Sequence, residues 1–429
     1  MFLDFRSIVT KLRHLDWLSL SFQLVLLAIG VVFIYGAGIR IGGAFVSKWY
    51  VQLFWIAVGF VIFLICALID YRKLGEQSWI LYLLGVILLG LVISKGVNIN
   101  GAKSWIRIAG FTIQPSEFAK PATLLFMSWI VTRPGWLESR VPPWLIVGLT
   151  LLPPLFLVFK QPDMGTLLVF LPFSFCIAFI KGLRWRWIIL TVTTGIVLAP
   201  FAFMHLATHQ KERIKVFLNE PTSALISIAS PYVSSERAKK WNEAYQAFFY
   251  PELQEDKSTD TNAKDPAATT QKAKRKARKI DNWNAKQSML SVGSGGFTGK
   301  GFMQGTQYYL GYLPRTVAPT DFIFSVIAEE TGFLGCGLVI LLLTCIILCS
   351  CRTAVLAADE MGMCLALGTA AILTTHSFIN IAMTIQVAPI IGIPLPFISY
   401  GGSFMISIMT LTGLCQSVHI HRHNLPEFL

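Results

Sequence analysis

The sequence predicts an all-α polytopic membrane protein of about ten transmembrane helices, with one long extracytoplasmic loop between the seventh and eighth. Three observations carry this reading. Of 429 residues, 54% are hydrophobic and 14% charged, where soluble domains carry about 25% charged residues. Mean hydropathy is +0.61. The apolar residues, with 12 Trp and 31 Phe among them, gather in runs close to the roughly 20 residues that cross a bilayer. Such hydrophobicity excludes a disordered chain. Eight Cys scattered through apolar runs exclude a secreted disulfide scaffold.

In chain order the runs lie near Trp17–Gly38, Tyr50–Ile69, Trp79–Ile93, Phe118–Thr132 and Trp144–Phe159. They continue near Met164–Ile180, Trp187–Leu206, Phe322–Ser350, Gly362–Ile385 and Phe404–Val418. Trp or Tyr opens several of them (Trp17, Tyr50, Trp79, Trp144, Trp187), as interfacial anchoring requires. Short loops on one side hold Arg6, Lys11, Arg13, Arg72, Lys73 and Arg133 among other cations; those on the other side hold fewer, among them Lys48, Lys95, Lys103, Arg107 and Lys160. The positive-inside rule therefore puts both termini in the cytoplasm. The first apolar run is too long for a signal-peptide core, and no signal peptide is expected.

These spans divide the chain into helices 1–7 (residues 1–206), an outer loop (207–320), helices 8–10 (321–418) and a cytoplasmic tail (419–429). The loop's middle, near Glu252–Ala277, is polar and lysine-rich, and reads as disordered. From Asp281 onward the texture turns glycine-rich and aromatic. The basic run Lys272–Lys279 would suggest nucleic acid in a soluble protein. Outside the cytoplasm it reads as a solvated segment, and no nucleic acid is expected.

Gly293–Gly301 fails the P-loop spacing, because Ser294 stands where glycine is needed and Gly301 follows Lys300. What survives is a glycine turn exposing N–H groups beside Lys300, suited to an anion such as pyrophosphate, with a plain tight turn as the equal alternative. The cysteines read as small apolar residues. His419, His421 and His423 read as tail, not as a metal site, and no metal ligands are expected.

Acids near spans are costly and mark function. Glu117, Asp163 and Asp321 map to the outer side, as do Lys103, Arg107, Arg213 and Lys300. Glu117 and Lys120 share a helix face at i,i+3. Glu329 and Glu330 lie deeper and read as packing or hydrogen-bonding groups. Gly392–Gly402, with two Pro and paired Gly, implies broken backbone, tolerated at membrane depth where it is buried or lines a wet cavity. Residue chemistry thus reaches an extracytoplasmic polar cavity suited to a phosphate-bearing substrate.

The segments Asn100-Gly-Ala-Lys-Ser-Trp-Ile106, Gln114-Pro-Ser-Glu-Phe-Ala-Lys120 and Gln161-Pro-Asp-Met-Gly-Thr166 resemble the SEDS family (shape, elongation, division and sporulation) of peptidoglycan glycosyltransferases. So do Arg213-Ile214 with Phe217-Leu218, Gln287-Ser288, Gly305-Thr-Gln307, Thr320-Asp-Phe-Ile-Phe324 with Glu329-Glu330, and Pro394–Ser403. The Gly392-Ile-Pro-Leu-Pro-Phe397 wording is closer to the RodA branch than to FtsW.

The resemblance implies an inner-membrane polymerase that joins lipid II units into glycan strands for cell-wall synthesis and cell shape. The family's essential Asp falls on Asp321, expected to act as general base. Substrate contacts are expected from Lys103, Glu117, Lys120, Asp163, Arg213, Gln287, Ser288, Lys300, Gln307, Ser399 and Tyr400. No cofactor is evident; a divalent cation at the pyrophosphate is compatible with the chemistry, with no ligand set legible. The implied partners are lipid II, the bilayer and a class B penicillin-binding transpeptidase. Pro319 stands where the family commonly has His, so no role of that His transfers. The alternatives are a flippase for lipid-linked oligosaccharides and a non-catalytic scaffold for the transpeptidase.

Overall fold

A computed structural model describes residues 5–41, 46–99, 102–108, 111–133, 141–205, 283–284, 286–313 and 317–423. It also describes the isolated positions 211, 214–215, 217–218, 239–241 and 243. Arg213 and the expected disordered middle of the long loop lie outside the described residues, as do Asn100, Gly101 and the basic run.

Helix α1 (Phe5–Arg13) is short and leads through Asp16 into α2 (Trp17–Ile41) and α3 (Lys48–Leu68). A short α4 (Tyr71–Glu76), capped where the Asp70 side chain accepts from the Arg72 N–H, precedes α5 (Ser78–Lys95). Then come α6 (Pro115–Thr132), α7 (Pro143–Lys160), α8 (Met164–Ile180) and α9 (Trp185–His205). After the long loop follow α10 (Ile323–Val355), α11 (Glu360–Thr384) and α12 (Gly402–Ile420). Ten of these twelve helices coincide with the ten predicted runs. Seven are long and apolar enough to cross a membrane, and α8 is a shorter apolar helix.

Sharp connections at the same end of α5 and α6 carry an element the hydropathy reading passed over. Three short antiparallel strands, β1 (Val97–Ile99), β2 (Ala102–Ile108) and β3 (Phe111–Ile113), pair in the order β1-β2-β3. Lys103 pairs opposite Asn98, and Arg107 opposite Thr112. The sheet satisfies backbone groups that would otherwise sit unpaired at the membrane surface.

The interior is built mainly on α12, α11 and α6. In α12 nearly every side chain is buried, polar ones included. In α5 and α7, by contrast, alternate turns present Leu83, Leu84, Leu152 and Phe156 outward, as a lipid-facing surface requires. A helix that is apolar all round but buried on one side reads as a peripheral span.

Helix α10 would measure about 50 Å at 1.5 Å per residue, well beyond a hydrocarbon core of about 30 Å. It breaks at Gly332, whose φ is +65°. The break frees carbonyls and N–H groups, and the glycine turn at 295–301 docks on them. Lys300 and Gly301 N–H donate to the Glu329 and Glu330 carbonyls at 3.0 and 2.9 Å. In return, Phe333 and Leu334 N–H donate to the Gly296 and Phe297 carbonyls. A Cβ at Gly295 would stand 1.9 Å from the Ala328 oxygen, and one at Gly299 would stand 2.2 Å from the Glu330 oxygen. These glycines are there because two backbones touch.

Two expectations change at the other end of the molecule. The tail predicted from residue 419 starts later, since α12 runs to Ile420 and both His419 and His421 are buried. Burial pushes the His421 imidazole below its usual range, and its Nδ1 lies 2.8 Å from the Ser417 carbonyl. All eight cysteines are free, as the apolar reading expects.

Candidate functional site

Four helices begin at one place. The N-termini of α6, α8, α10 and α12 converge on a cavity of about 400 Å³, whose lining includes Gln114, Asp163, Asp321, Gly392, Tyr400 and Ser403. Trp105 and Thr112 of the small sheet close one side. The first N–H groups of a helix have no intrahelical acceptor, and the macrodipole adds partial positive charge there. Among these four, the N-cap residues of α6, α10 and α12 make no side-chain cap.

Asp163 caps the fourth. One of its oxygens accepts from the Thr166 N–H at 3.1 Å; the other accepts from Thr166 Oγ1 at 2.9 Å and from Gln114 Nε2 at 2.8 Å. It is a wall of the cavity whose lone pairs are largely committed.

Asp321 sits on the turn just before α10 and is half-buried. Its backbone is held from behind. Asn380 Nδ2 donates to the Asp321 carbonyl at 2.9 Å and also to the Ile393 carbonyl at 2.6 Å. Ser399 Oγ donates to the Thr320 carbonyl at 2.6 Å and accepts from the Leu395 N–H at 2.8 Å. The Tyr400 N–H donates to the Pro319 carbonyl at 2.9 Å. The proline-rich stretch expected to be broken backbone is indeed irregular from Gln386 to Gly401, and it is the part that fixes the turn carrying the acid.

Gly392 has φ +80°, and a Cβ on it would come 3.3 Å from Asp321 Oδ2. An L-residue in the left-handed region costs roughly 1–2 kcal/mol. Gly392→Ala is therefore expected to push the carboxylate out of place. Thermal unfolding checks this, with a lower melting temperature expected from the strained backbone.

Other predicted site residues are placed elsewhere. Glu117 and Lys120 do not line the cavity: they are buried beneath it, paired at 2.8 Å, because the first turns of α6 point inward to α11 and α12. Lys103 spends its ammonium on the Ile93 and Ser94 carbonyls at the C-terminus of α5, at 2.9 and 3.1 Å. Arg107 is exposed on β2.

Lys300 is bound to Glu329 Oε1 at 2.6 Å. Of the turn that the sequence left open between an anion site and a plain tight turn, the Lys300 and Gly301 N–H groups go to α10 and the Gly299 N–H closes the turn on the Gly295 carbonyl. Gln307 gives its N–H to Glu329 at 3.0 Å. Gln287 and Ser288 are buried, and Ser288 Oγ lies 2.7 Å from Ser325 Oγ and donates to the Thr384 carbonyl. Ser399 supports the acid from behind, and Tyr400 lines the cavity.

Sequence reading missed Asn380, His376 and the role of Lys48. The Lys48 Nζ stands 5.2 Å from the Tyr400 ring centroid, bringing a cation beside the cavity. Polar residues four apart inside an apolar span were the available signal for His376 and Asn380. Among the described residues no group of three or more His, Cys, Asp or Glu comes together as a metal site.

The profile of the FtsW, RodA and SpoVE family, described as cell cycle proteins, matches residues 16–233 and 268–424. The peptidoglycan glycosyltransferase RodA of Treponema pallidum (strain Nichols) is 28% identical over 94% of this chain and 97% of its own length. A probable peptidoglycan glycosyltransferase FtsW of Trichlorobacter lovleyi is 30% identical over 95% of this chain and 94% of its own. A chain solved in a study of polymerization and crosslinking by a peptidoglycan synthase complex superposes with a TM-score of 0.66 at 23% identity, covering 96% of this chain and 99% of that one.

Proposed function

The chain belongs to the FtsW, RodA and SpoVE family, and from that premise we propose that it is a peptidoglycan glycosyltransferase polymerising lipid II, with Asp321 as the general base. The observation that carries this is the cavity itself: a half-buried acid on a turn whose backbone is held at three carbonyls, among helix N-termini that favour an anion.

In the proposed step, the acceptor sugar's 4-hydroxyl attacks the donor's anomeric carbon. The new C–O bond forms as the bond to pyrophosphate breaks. The hydroxyl proton passes to Asp321, and the electron pair leaves on undecaprenyl pyrophosphate. Charge growing on that leaving group needs preorganised partners. The N-termini of α6, α10 and α12, with Lys48 nearby, can share a part that the sequence reading gave to Arg213, Lys300, Lys103 and Lys120. A divalent ion joining the pyrophosphate would find Asp321 and the already committed Asp163 as protein carboxylates, in keeping with ions held by one or two carboxylates plus substrate phosphates. The Lys and Arg bias supports cytoplasmic termini and a cavity open to the outside of the bacterial inner membrane. The crosslinking named for the structural neighbour's complex supports a class B penicillin-binding transpeptidase as partner.

The test is reconstitution of the purified chain in liposomes with labelled lipid II, with and without the transpeptidase. Glycan ladders support the reading. Lipid II that crosses the bilayer without polymerising overturns it.

A further inference from the structure

Behind the cavity a second polar group runs through the protein interior, and the reaction as proposed does not use it. Lys120 Nζ bonds Glu117 Oε1 at 2.8 Å and approaches His376 Nε2 at 3.1 Å. His376 Nδ1 in turn lies 3.3 Å from the Pro394 carbonyl. All three side chains are buried. Phe404, a lining residue, stands beside them, with its ring centroid 4.9 Å from that of His376.

The chemistry of the donors leaves one arrangement. A lysine ammonium has protons to give and no lone pair to accept with. Nε2 of His376 must therefore accept, and in a neutral ring the proton then sits on Nδ1. That N–H points at Pro394, whose carbonyl it satisfies.

Asn380 lies four residues further along α11, on the same face, and donates to the neighbouring Ile393 carbonyl at 2.6 Å. Two side chains one helical turn apart thus hold two consecutive carbonyls of a segment whose prolines, Pro394 and Pro396, cannot donate to a backbone ladder. The same segment carries Gly392, which abuts Asp321.

We propose that His376, kept in its Nδ1–H form by Lys120, is a positioning residue that sets the Gly392–Pro394 backbone against Asp321. The catalytic consequence rests on the glycosyltransferase reading above; the positioning itself does not.

Two isosteres separate the two nitrogens. Asn at 376 puts an amide N–H where Nδ1 stands and leaves Lys120 without its acceptor. Gln reaches the Nε2 position and abandons Pro394. In proteoliposomes, His376→Asn is expected to keep kcat within about threefold of the parent. His376→Gln, and His376→Phe which loses both contacts, should lose about tenfold or more in kcat, the scale of a displaced catalytic group. Hydrogen exchange at the Leu395 and Tyr400 amides, read on the same preparations, should accelerate in Gln and Phe and stay parental in Asn. Gln behaving as the parent, or Asn failing together with Gln in rate and exchange, overturns the proposal. Should the parent form no glycan at all, the glycosyltransferase reading fails, while the exchange rates still decide what His376 holds.

Discussion

Asp321→Ala and Asp321→Asn are each expected to lower lipid II polymerisation by about 10²–10⁴-fold, the usual worth of a positioned general base. The Asn variant is the sharper of the two. It keeps the shape of the side chain, and the Asn380, Ser399 and Tyr400 contacts to the turn are made to backbone atoms: the carbonyls of Asp321, Thr320 and Pro319. The melting temperature should therefore stay near that of the parent while the glycan ladder disappears. Asp163→Ala makes the contrast. Its oxygens cap α8 and bind Gln114, so the loss should fall on stability, at about 0.5–2 kcal/mol for a helix cap, with a smaller effect on rate. Polymer formation by Asp321→Asn at the parental rate would remove the proposed base. Stability lost at Asp321 and retained at Asp163 would exchange the two roles.

The spans were readable because a bilayer asks for a single property over about 20 residues, and composition supplies it directly. Even α6, with Glu117 and Lys120 in its first turns, was placed by the largely apolar run Phe118–Thr132. The sheet at 97–113 was not readable: strands of three and seven residues between two spans leave too short an alternation to separate from loop.

Asp321 was legible as one of three outer acids and took its role from the resemblance; Ser399 was named as a substrate contact, and Asn380 was not named. Asn380 and Ser399 act on carbonyls that are distant in sequence and become neighbours once α10, α11 and the 386–401 stretch have packed. The glycine turn illustrates the same limit from the other side. Glycines that expose N–H groups suit an anion or another backbone equally well, and the sequence does not say which acceptor will arrive. Here it was the broken turn of α10 around Gly332, about thirty residues later. The same limit applies to Lys300, whose counter-charge Glu329 belongs to that same broken helix.

Glu329→Ala is the second large expected effect, and it separates these two readings of Lys300. Glu329 is 1% exposed. Its Oε1 accepts from Lys300 Nζ at 2.6 Å, from the Thr306 N–H at 2.7 Å, from Thr306 Oγ1 at 3.0 Å and from the Gln307 N–H at 3.0 Å. Removing the carboxylate strands two backbone donors and a cation together. Breaking one partner of a buried pair costs about 3–5 kcal/mol, and the partial exposure of Lys300 argues for the lower end. Thermal unfolding in detergent should show a large drop for Glu329→Ala and a smaller one for Glu329→Gln, which keeps an acceptor oxygen. The drop should be smaller again for Lys300→Met, which leaves the carboxylate its three other donors. If Lys300 instead served the pyrophosphate, Lys300→Met would raise KM for lipid II and leave stability alone. In the present geometry KM stays at the parental value, because the ammonium binds Glu329 and does not line the cavity. A raised KM with an unchanged melting temperature would return Lys300 to the substrate and leave Glu329 as its orienting partner.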